Sequence, residues 1–245
     1  MNAFGELGKY SSLLYQALRS STEFGTYRKS FFQEMVKIGY DSVPIIMLTG
    51  FFTGSVMTIQ SAYQLDSAFI PLSTIGAIVS ESILIELAAV ISSLVLAGKV
   101  GARLATELGT MRVTEQIDAL ESMGFNSISF LVVPRVFAGV LMFPVLYIVA
   151  CVTGVGGGVL AGMASGAVPA SDFLAGARMY FAPYTLIFGF VKMFVFGFII
   201  TSISCYQGYY ASGGAEGVGN STTSATVISC MIVLLADFVL AALLL

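Results

Sequence analysis

The sequence predicts an all-α integral membrane protein: five transmembrane helices, an N-terminal interfacial elbow helix, and one further helix in a cytoplasmic loop. Composition is the first ground. Of 245 residues, 57% are hydrophobic and 10% are charged, whereas soluble domains are about one quarter charged. Mean hydropathy is +0.90. The second ground is five apolar runs, each near the ~20 residues that cross a hydrocarbon core. The third is the placement of Lys and Arg, which gather in segments that share one side if five spans alternate.

The chain opens with MNAFGELGKYSSLLYQALRS. This lacks the basic-then-apolar layout of a cleaved signal, so the first span is expected to act as its own insertion signal. Phe4, Leu7, Leu14 and Leu18 recur at roughly helical spacing, with Glu6, Lys9 and Arg19 off that stripe. The pattern predicts a helix lying in the interface, with a frayed polar tail as the alternative.

The spans follow at residues 43–62, 72–97, 130–163, 184–206 and 225–245. Glu81 and Glu86 interrupt the second, Lys192 the fourth and Asp237 the fifth. Lys9, Arg19, Arg28, Lys29 and Lys37 precede the first span, and Lys99, Arg103, Arg112 and Arg135 lie between the second and third. Only Arg178 falls in a loop on the other side. The N-terminus is therefore expected in the cytoplasm and the C-terminus across the membrane. Residues 165–183 form an outer loop with room for a short helix.

Composition excludes several chemistries. His is absent, which removes the usual proton shuttle and the commonest metal ligand. Cys151, Cys205 and Cys230 stand far apart in apolar runs and read as small buried hydrophobes. A net charge of −3 gives no footing for nucleic acid.

The densest charge is LAGKVGARLATELGTMRVTEQIDALESMG, residues 96–124. Gly109 is expected to break the helix leaving the second span, Thr110 to cap a new one and Gly124 to end it. Val113, Ile117 and Leu120 share one face of that helix, and Glu115, Asp118 and Glu121 form an acidic ridge on another. About 13 residues make roughly 20 Å of helix, too short to span a bilayer. Such a helix either docks in a groove on a soluble partner or is merely solvated.

Two glycine clusters stand out. Gly154, Gly156, Gly157 and Gly158 fall inside the third span, where close helix packing or a bend explains them. The run GAEGVGNS at 214–221 has the glycine spacing of a phosphate-binding loop, but Asn220 stands where Lys is needed. Ser221 or Thr222 is expected to cap the last span instead.

The charged block, followed by LVVPRVFAG, resembles the MlaE/YrbE family, the permease subunits of ABC transporters associated with MCE proteins. The segment VKMFVFGFIITSISCYQGYYASGGAEGVGNSTTSATVIS, the ILIELAAV stretch around Glu86 and the closing DFVLAALLL match as well. The resemblance implies a permease domain over residues 36–245, preceded by the elbow segment 1–35. The loop at about 99–129 becomes a coupling loop that meets a cytosolic ABC ATPase (MlaF-like). Glu107, Arg112, Glu115, Gln116 and Asp118 sit at its motif positions and are expected to contact that ATPase. No cofactor is expected in this chain, since ATP binds the partner, and the chain itself is not expected to be an enzyme. Further implied partners are a ring of MCE-domain subunits (MlaD-like), a STAS-domain protein (MlaB-like), phospholipid, and a second copy in a homodimer. The implied location is the bacterial inner membrane, and the implied activity is phospholipid movement between inner and outer membranes, which maintains outer-membrane lipid asymmetry.

Within the membrane, Glu86 matches an acidic family position expected to line the lipid cavity, with helix pairing as the alternative. Lys192 either meets an anionic headgroup or pairs with an acid. Asp237 reads as a structural hydrogen-bonding residue. Gln60, Tyr63 and Gln64 offer polar contacts around a headgroup. Ala88-Ala89 stands where the family often has Gly-Pro, Phe125-Asn126 replaces a usual Pro, and Asn220 and Ser224 stand where some members carry Arg. Two other classes compete: a secondary transporter or channel relaying through Glu86, Lys192 and Asp237, and an intramembrane protease using Asp41 and Asp237.

Overall fold

The structure is a computed structural model that describes residues 3–20, 28–65, 71–179 and 181–244. Eight helices make up these residues: α1 (Ala3–Ser20), α2 (Arg28–Gln64), α3 (Ser73–Val113), α4 (Gln116–Ser122), α5 (Ser127–Ser165), α6 (Ala170–Met179), α7 (Pro183–Tyr209) and α8 (Gly214–Leu244). Helices α2, α3, α5, α7 and α8 are long and apolar enough to cross a membrane, so the five-span all-α architecture holds. The expected short outer helix is α6.

Helix α5 is the centre of the bundle, with α2 on one flank and α7 on the other. Its contact with α2 depends on glycine. A Cβ on Gly54 would overlap the Gly154 carbonyl, and one on Gly157 would overlap the carbonyl of Phe51. The third-span glycines thus let two backbones touch, as small residues do between membrane helices. Pro134 and Pro144 lie inside α5. Arg135, which follows Pro134, donates from Nη1 to the Leu131 carbonyl at 2.7 Å. Phe143, Leu146 and Tyr147 of α5 are fully buried, as are Phe196 and Ile200 of α7.

Helix α3 is not uniform. It widens into π-helical turns at Ile83–Leu87 and Ala97–Gly101. Such turns are rare and recur at functional sites. In the first, the Tyr147 hydroxyl donates to the Leu84 carbonyl at 2.6 Å, supplying a donor where the helical ladder changes register.

Three local expectations are corrected. Gly109 does not break a helix: α3 runs through it to Val113, with Gly109 buried against Ala211 and Val218. The break comes at Glu115, in the left-handed region at φ 59°, so Thr110 caps nothing and α4 has only seven residues. The helix that carries the last span begins at Gly214, well before residue 225, so Ser221 and Thr222 lie within α8 rather than at its cap. Thr222 Oγ1 instead donates to the Val218 carbonyl at 2.8 Å and lies 2.8 Å from Thr106 Oγ1 of α3. The glycine run there forms the first turns of a helix rather than a loop between a strand and a helix, so it lacks the setting of a phosphate-binding loop.

The elbow helix turns a side other than the predicted interfacial stripe toward the bundle. Leu13 is fully buried and Tyr10 and Ala17 are partly buried, while Leu18 is 69% exposed. The side chains of Phe4 and Leu7 lie outside the described set. Glu6, off the apolar stripe as read, accepts a 2.6 Å hydrogen bond from the Tyr206 hydroxyl. Tyr10 adds a 2.8 Å bond with Ser202 and an edge-to-face contact with Tyr206. The apolar period did not mark this bundle-facing side, which two polar bonds to α7 define.

Candidate functional site: an ion cluster in the membrane and a tethered charged block

Lys192 of α7 is fully buried. Its Nζ lies 2.6 Å from Glu86 Oε2 and 2.7 Å from Asp237 Oδ1, and 4.6 Å from the centre of the Phe188 ring. Three helices therefore meet at one ammonium: α3 through its first π turn, α7, and α8. A lysine deep in hydrocarbon persists only when paired, and the alternative in which Lys192 pairs with acid is the one the geometry adopts. The Glu86 contact is a directed hydrogen bond. Asp237 Oδ1 makes none and contributes charge at close range. Glu86 keeps 40% of its side chain exposed, so the cluster has one open edge, whereas Asp237 is 14% exposed. Asp237, expected to be structural, belongs to the same constellation. Asp41 lies in the turn within α2, where its backbone carbonyl accepts from Lys99, and no described contact joins it to Asp237.

Gln60, Tyr63 and Gln64 stand apart. All three are exposed on the last turns of α2, and Tyr63 is 86% exposed beside a cavity of about 380 Å³. None makes a side-chain bond to the ion cluster.

The charged block has two parts. Glu107 belongs to the inner one. Its carboxylate lies 3.5 Å from Arg135 and 3.9 Å from Arg103, and both arginines also face Glu34, at 3.8 and 3.3 Å. Glu34 and Arg135 are buried. This four-charge network joins α2, α3 and α5, and Glu107 is engaged inside it. Glu34 carried no sequence signal, and Arg103 and Arg135 were legible as same-side charges within the motif but not as its partners, beyond the i, i+4 spacing of Arg103 and Glu107.

The outer part is the break and α4. Arg112 Nη1 donates to Asp118 Oδ1 at 2.6 Å across the turn, while Glu115 and Gln116 are exposed. The structure thus gathers Arg112, Glu115, Gln116 and Asp118 on one surface, beside Met123 and Phe125, which are 64% and 52% exposed. Ile117 is fully buried beneath them. At the end of α4, Glu121 Oε1 accepts from Ser127 at 2.6 Å and from Tyr209 at 3.0 Å. These bonds, with the nearby Arg112 charge, hold its carboxyl below the usual carboxylate range. Glu121, expected on the acidic ridge, instead ties α4 to the start of α5 and the end of α7. Gly124, at φ 83°, ends the segment as expected, and Asn126 caps α5 by accepting from the Ser129 N–H at 3.2 Å.

Comparison with known proteins gives the family of the chain. The sequence profile of the family described as Permease MlaE matches residues 31–243. A probable ABC transporter permease protein of Rickettsia bellii (strain RML369-C) is 41% identical over 234 residues, covering 96% of this chain and 90% of the relative. The intermembrane phospholipid transport system permease protein MlaE of Haemophilus influenzae (strain ATCC 51907 / DSM 11121 / KW20 / Rd) is 32% identical over 240 residues, covering 98% and 92%. The chloroplastic protein TRIGALACTOSYLDIACYLGLYCEROL 1 of Arabidopsis thaliana is 36% identical over 208 residues, covering 85% of this chain and 59% of the relative. With the profile spanning nearly the whole chain and five membrane helices beneath it, this protein belongs to the MlaE permease family of ABC transporter subunits.

Proposed function

We propose that this chain is the homodimeric transmembrane permease of an ABC complex that moves phospholipid between the inner and outer membranes and so maintains outer-membrane lipid asymmetry. The observation that carries the reading is the anchored surface at the charged block. Arg112, Glu115, Gln116 and Asp118, with Met123 and Phe125, form an exposed patch of mixed charge and apolar area. The segment behind it is fixed to the bundle through Ile117 and the Glu121 bonds. A patch fixed to several spans can pass a partner's motion to them, which a free loop cannot.

The partner is a cytosolic ATPase, which binds the ATP; MCE-domain subunits form a ring on the opposite side, and a STAS-domain protein joins the ATPase. The membrane is the bacterial inner membrane, with the N-terminus cytoplasmic and the C-terminus periplasmic. Two features support a second copy of the chain as neighbour. Helix α8 is the least buried of the five spans. Phe238 and Leu235 on it are 73% and 65% exposed. The lipid path runs past the open edge of Glu86, next to α8.

The test is to purify the tagged full chain from its native membrane in mild detergent, alone and with Glu115→Arg and Asp118→Arg together. Wild type is expected to bring down an ABC ATPase, and the double variant to lose it while remaining monodisperse. ATPase recovery equal to wild type would overturn the assignment of this surface.

A further inference from the structure

The last turns of α7 hold two neighbours at once. One is the elbow helix α1. The Tyr206 hydroxyl donates to Glu6 Oε2 at 2.6 Å, and the Tyr10 hydroxyl lies 2.8 Å from Ser202 Oγ, about one turn earlier. The other is the charged block. The Tyr209 hydroxyl donates to Glu121 Oε1 at 3.0 Å and lies 2.8 Å from Ser127 Oγ. Tyr206 and Tyr209 are separated by less than one turn of α7.

Aromatic rings join the two sets of bonds. Tyr10 meets Tyr206 edge-to-face at 5.5 Å between ring centres. Tyr206 lies 5.2 Å from Tyr210, and Tyr210 meets Tyr209 edge-to-face, also at 5.2 Å. Tyr206 and Tyr209 are both buried. A buried ring in close-packed surroundings shifts only if its neighbours shift with it. A displacement at Glu6 and Tyr206 therefore reaches Tyr209 through packed rings and the backbone of α7.

Helix α1 is held between two surfaces. Leu13 is fully buried against the bundle, while Tyr15 and Leu18 are exposed. A helix with apolar residues turned outward also draws on the membrane interface, and that attraction varies with lipid packing and curvature. One of the two surfaces that hold α1 is thus variable.

We propose that the elbow helix is a conformational control on the charged block: seated on α7 it holds α4 firm through the tyrosine cluster, and drawn off α7 toward the membrane interface it slackens α4. That α4 is where a partner's motion enters rests on the proposed function; the link between α1 and α4 does not. Energetic coupling between two sites is reciprocal, so loosening α4 also slackens α1. An elbow that only anchors the chain gives neither effect.

The test is hydrogen exchange read by mass spectrometry on the full chain, without partner subunits, in nanodiscs of equal phosphatidylcholine and phosphatidylglycerol. Tyr10→Phe with Tyr206→Phe removes two hydroxyls that bond the elbow to α7 and keeps both rings; neither hydroxyl bonds α4. Exchange over residues 3–20 is expected to speed up, and exchange over residues 116–122 to rise roughly two- to fivefold, the scale of one lost hydrogen bond. In Tyr209→Phe, exchange over residues 3–20 is expected to rise by a similar factor. Residues 73–96 of α3 are the reference and should not change. Faster exchange over 3–20 with 116–122 unchanged would make the elbow an anchor alone and overturn the proposal. Unchanged exchange in both segments would do the same, and so would an equal rise over 73–96, which would mean general loosening. With no partner present, the outcome is independent of whether the charged block binds an ATPase, which the Glu115→Arg and Asp118→Arg recovery reads separately.

Discussion

Two groups of charges hold this bundle together, and they differ in what surrounds them. In the membrane, Lys192 sits fully buried between Glu86 and Asp237. At the charged block, Glu34, Arg103, Glu107 and Arg135 link three helices, and their exposure grades from 7% at Glu34 to 32% at Glu107. The contacts are chemically alike. The medium separates them, because a charge that loses its partner in hydrocarbon has no water to replace it, whereas one at the boundary does. The membrane cluster can therefore fix how three helices meet, and the outer charges can yield when a partner docks.

Lys192→Met breaks the comparison hardest. It leaves Glu86 and Asp237 facing each other without a cation and is expected to cost about 3–5 kcal/mol, read as loss of thermal stability in detergent. Adding Glu86→Gln and Asp237→Asn should restore most of it. No recovery would mean that the lysine stem, not its charge, carries the effect.

Arg135→Gln is expected to cost about 2 kcal/mol in the same assay, because Glu34 keeps Arg103 as a partner. A cost equal to that of Lys192→Met would erase the distinction drawn here.

Glu121 gives a smaller, pH-dependent effect. Its carboxyl is held below its ordinary range in the folded protein, first by Ser127, then by Tyr209 and Arg112. A carboxylate lowered on folding contributes stability above its unfolded pKa and loses it as pH falls through the folded value. Hydrogen exchange over residues 116–122 should therefore be slow at neutral pH and speed up in the acid carboxylate range. The residue is mostly exposed, so the change should stay within about 1 kcal/mol. In Tyr209→Phe the pH dependence should shrink; an unchanged profile would remove Glu121 as the tether of α4.

The smallest effect belongs to Arg112 and Asp118, which are 35% and 54% exposed. Asp118→Asn should cost about 0.2–1 kcal/mol of stability, less in high salt. A larger, salt-independent loss would show that the pair is structural rather than free for a partner.

Much of this was legible in the sequence, and the errors share one cause. Runs of apolar residues located five spans because each must satisfy its own backbone and face lipid, a local requirement. The start of α8 was placed late because residues 214–224 are largely small and polar, and hydropathy does not register a helix that continues past the hydrocarbon. Gly109 was read as a breaker because isolated glycine weakens a helix, but here it is where Ala211 and Val218 pack closely. Glu107 and its motif neighbours looked like one surface because sequence distance cannot tell an inward carboxylate from an outward one.

The sequence by itself determined the class, the number of spans, the charged block and the family, since each depends on composition, period or motif within one segment. Only the tertiary structure decided which charges meet. Lys192 and Glu86 are 106 residues apart, and the elbow's inner face, the Glu34 network and the Glu121 tether likewise join distant segments. Such contacts are fixed by how helices pack, through Gly54 against Gly154 and a π turn that places Glu86, and packing is a property of pairs of segments that no single segment encodes.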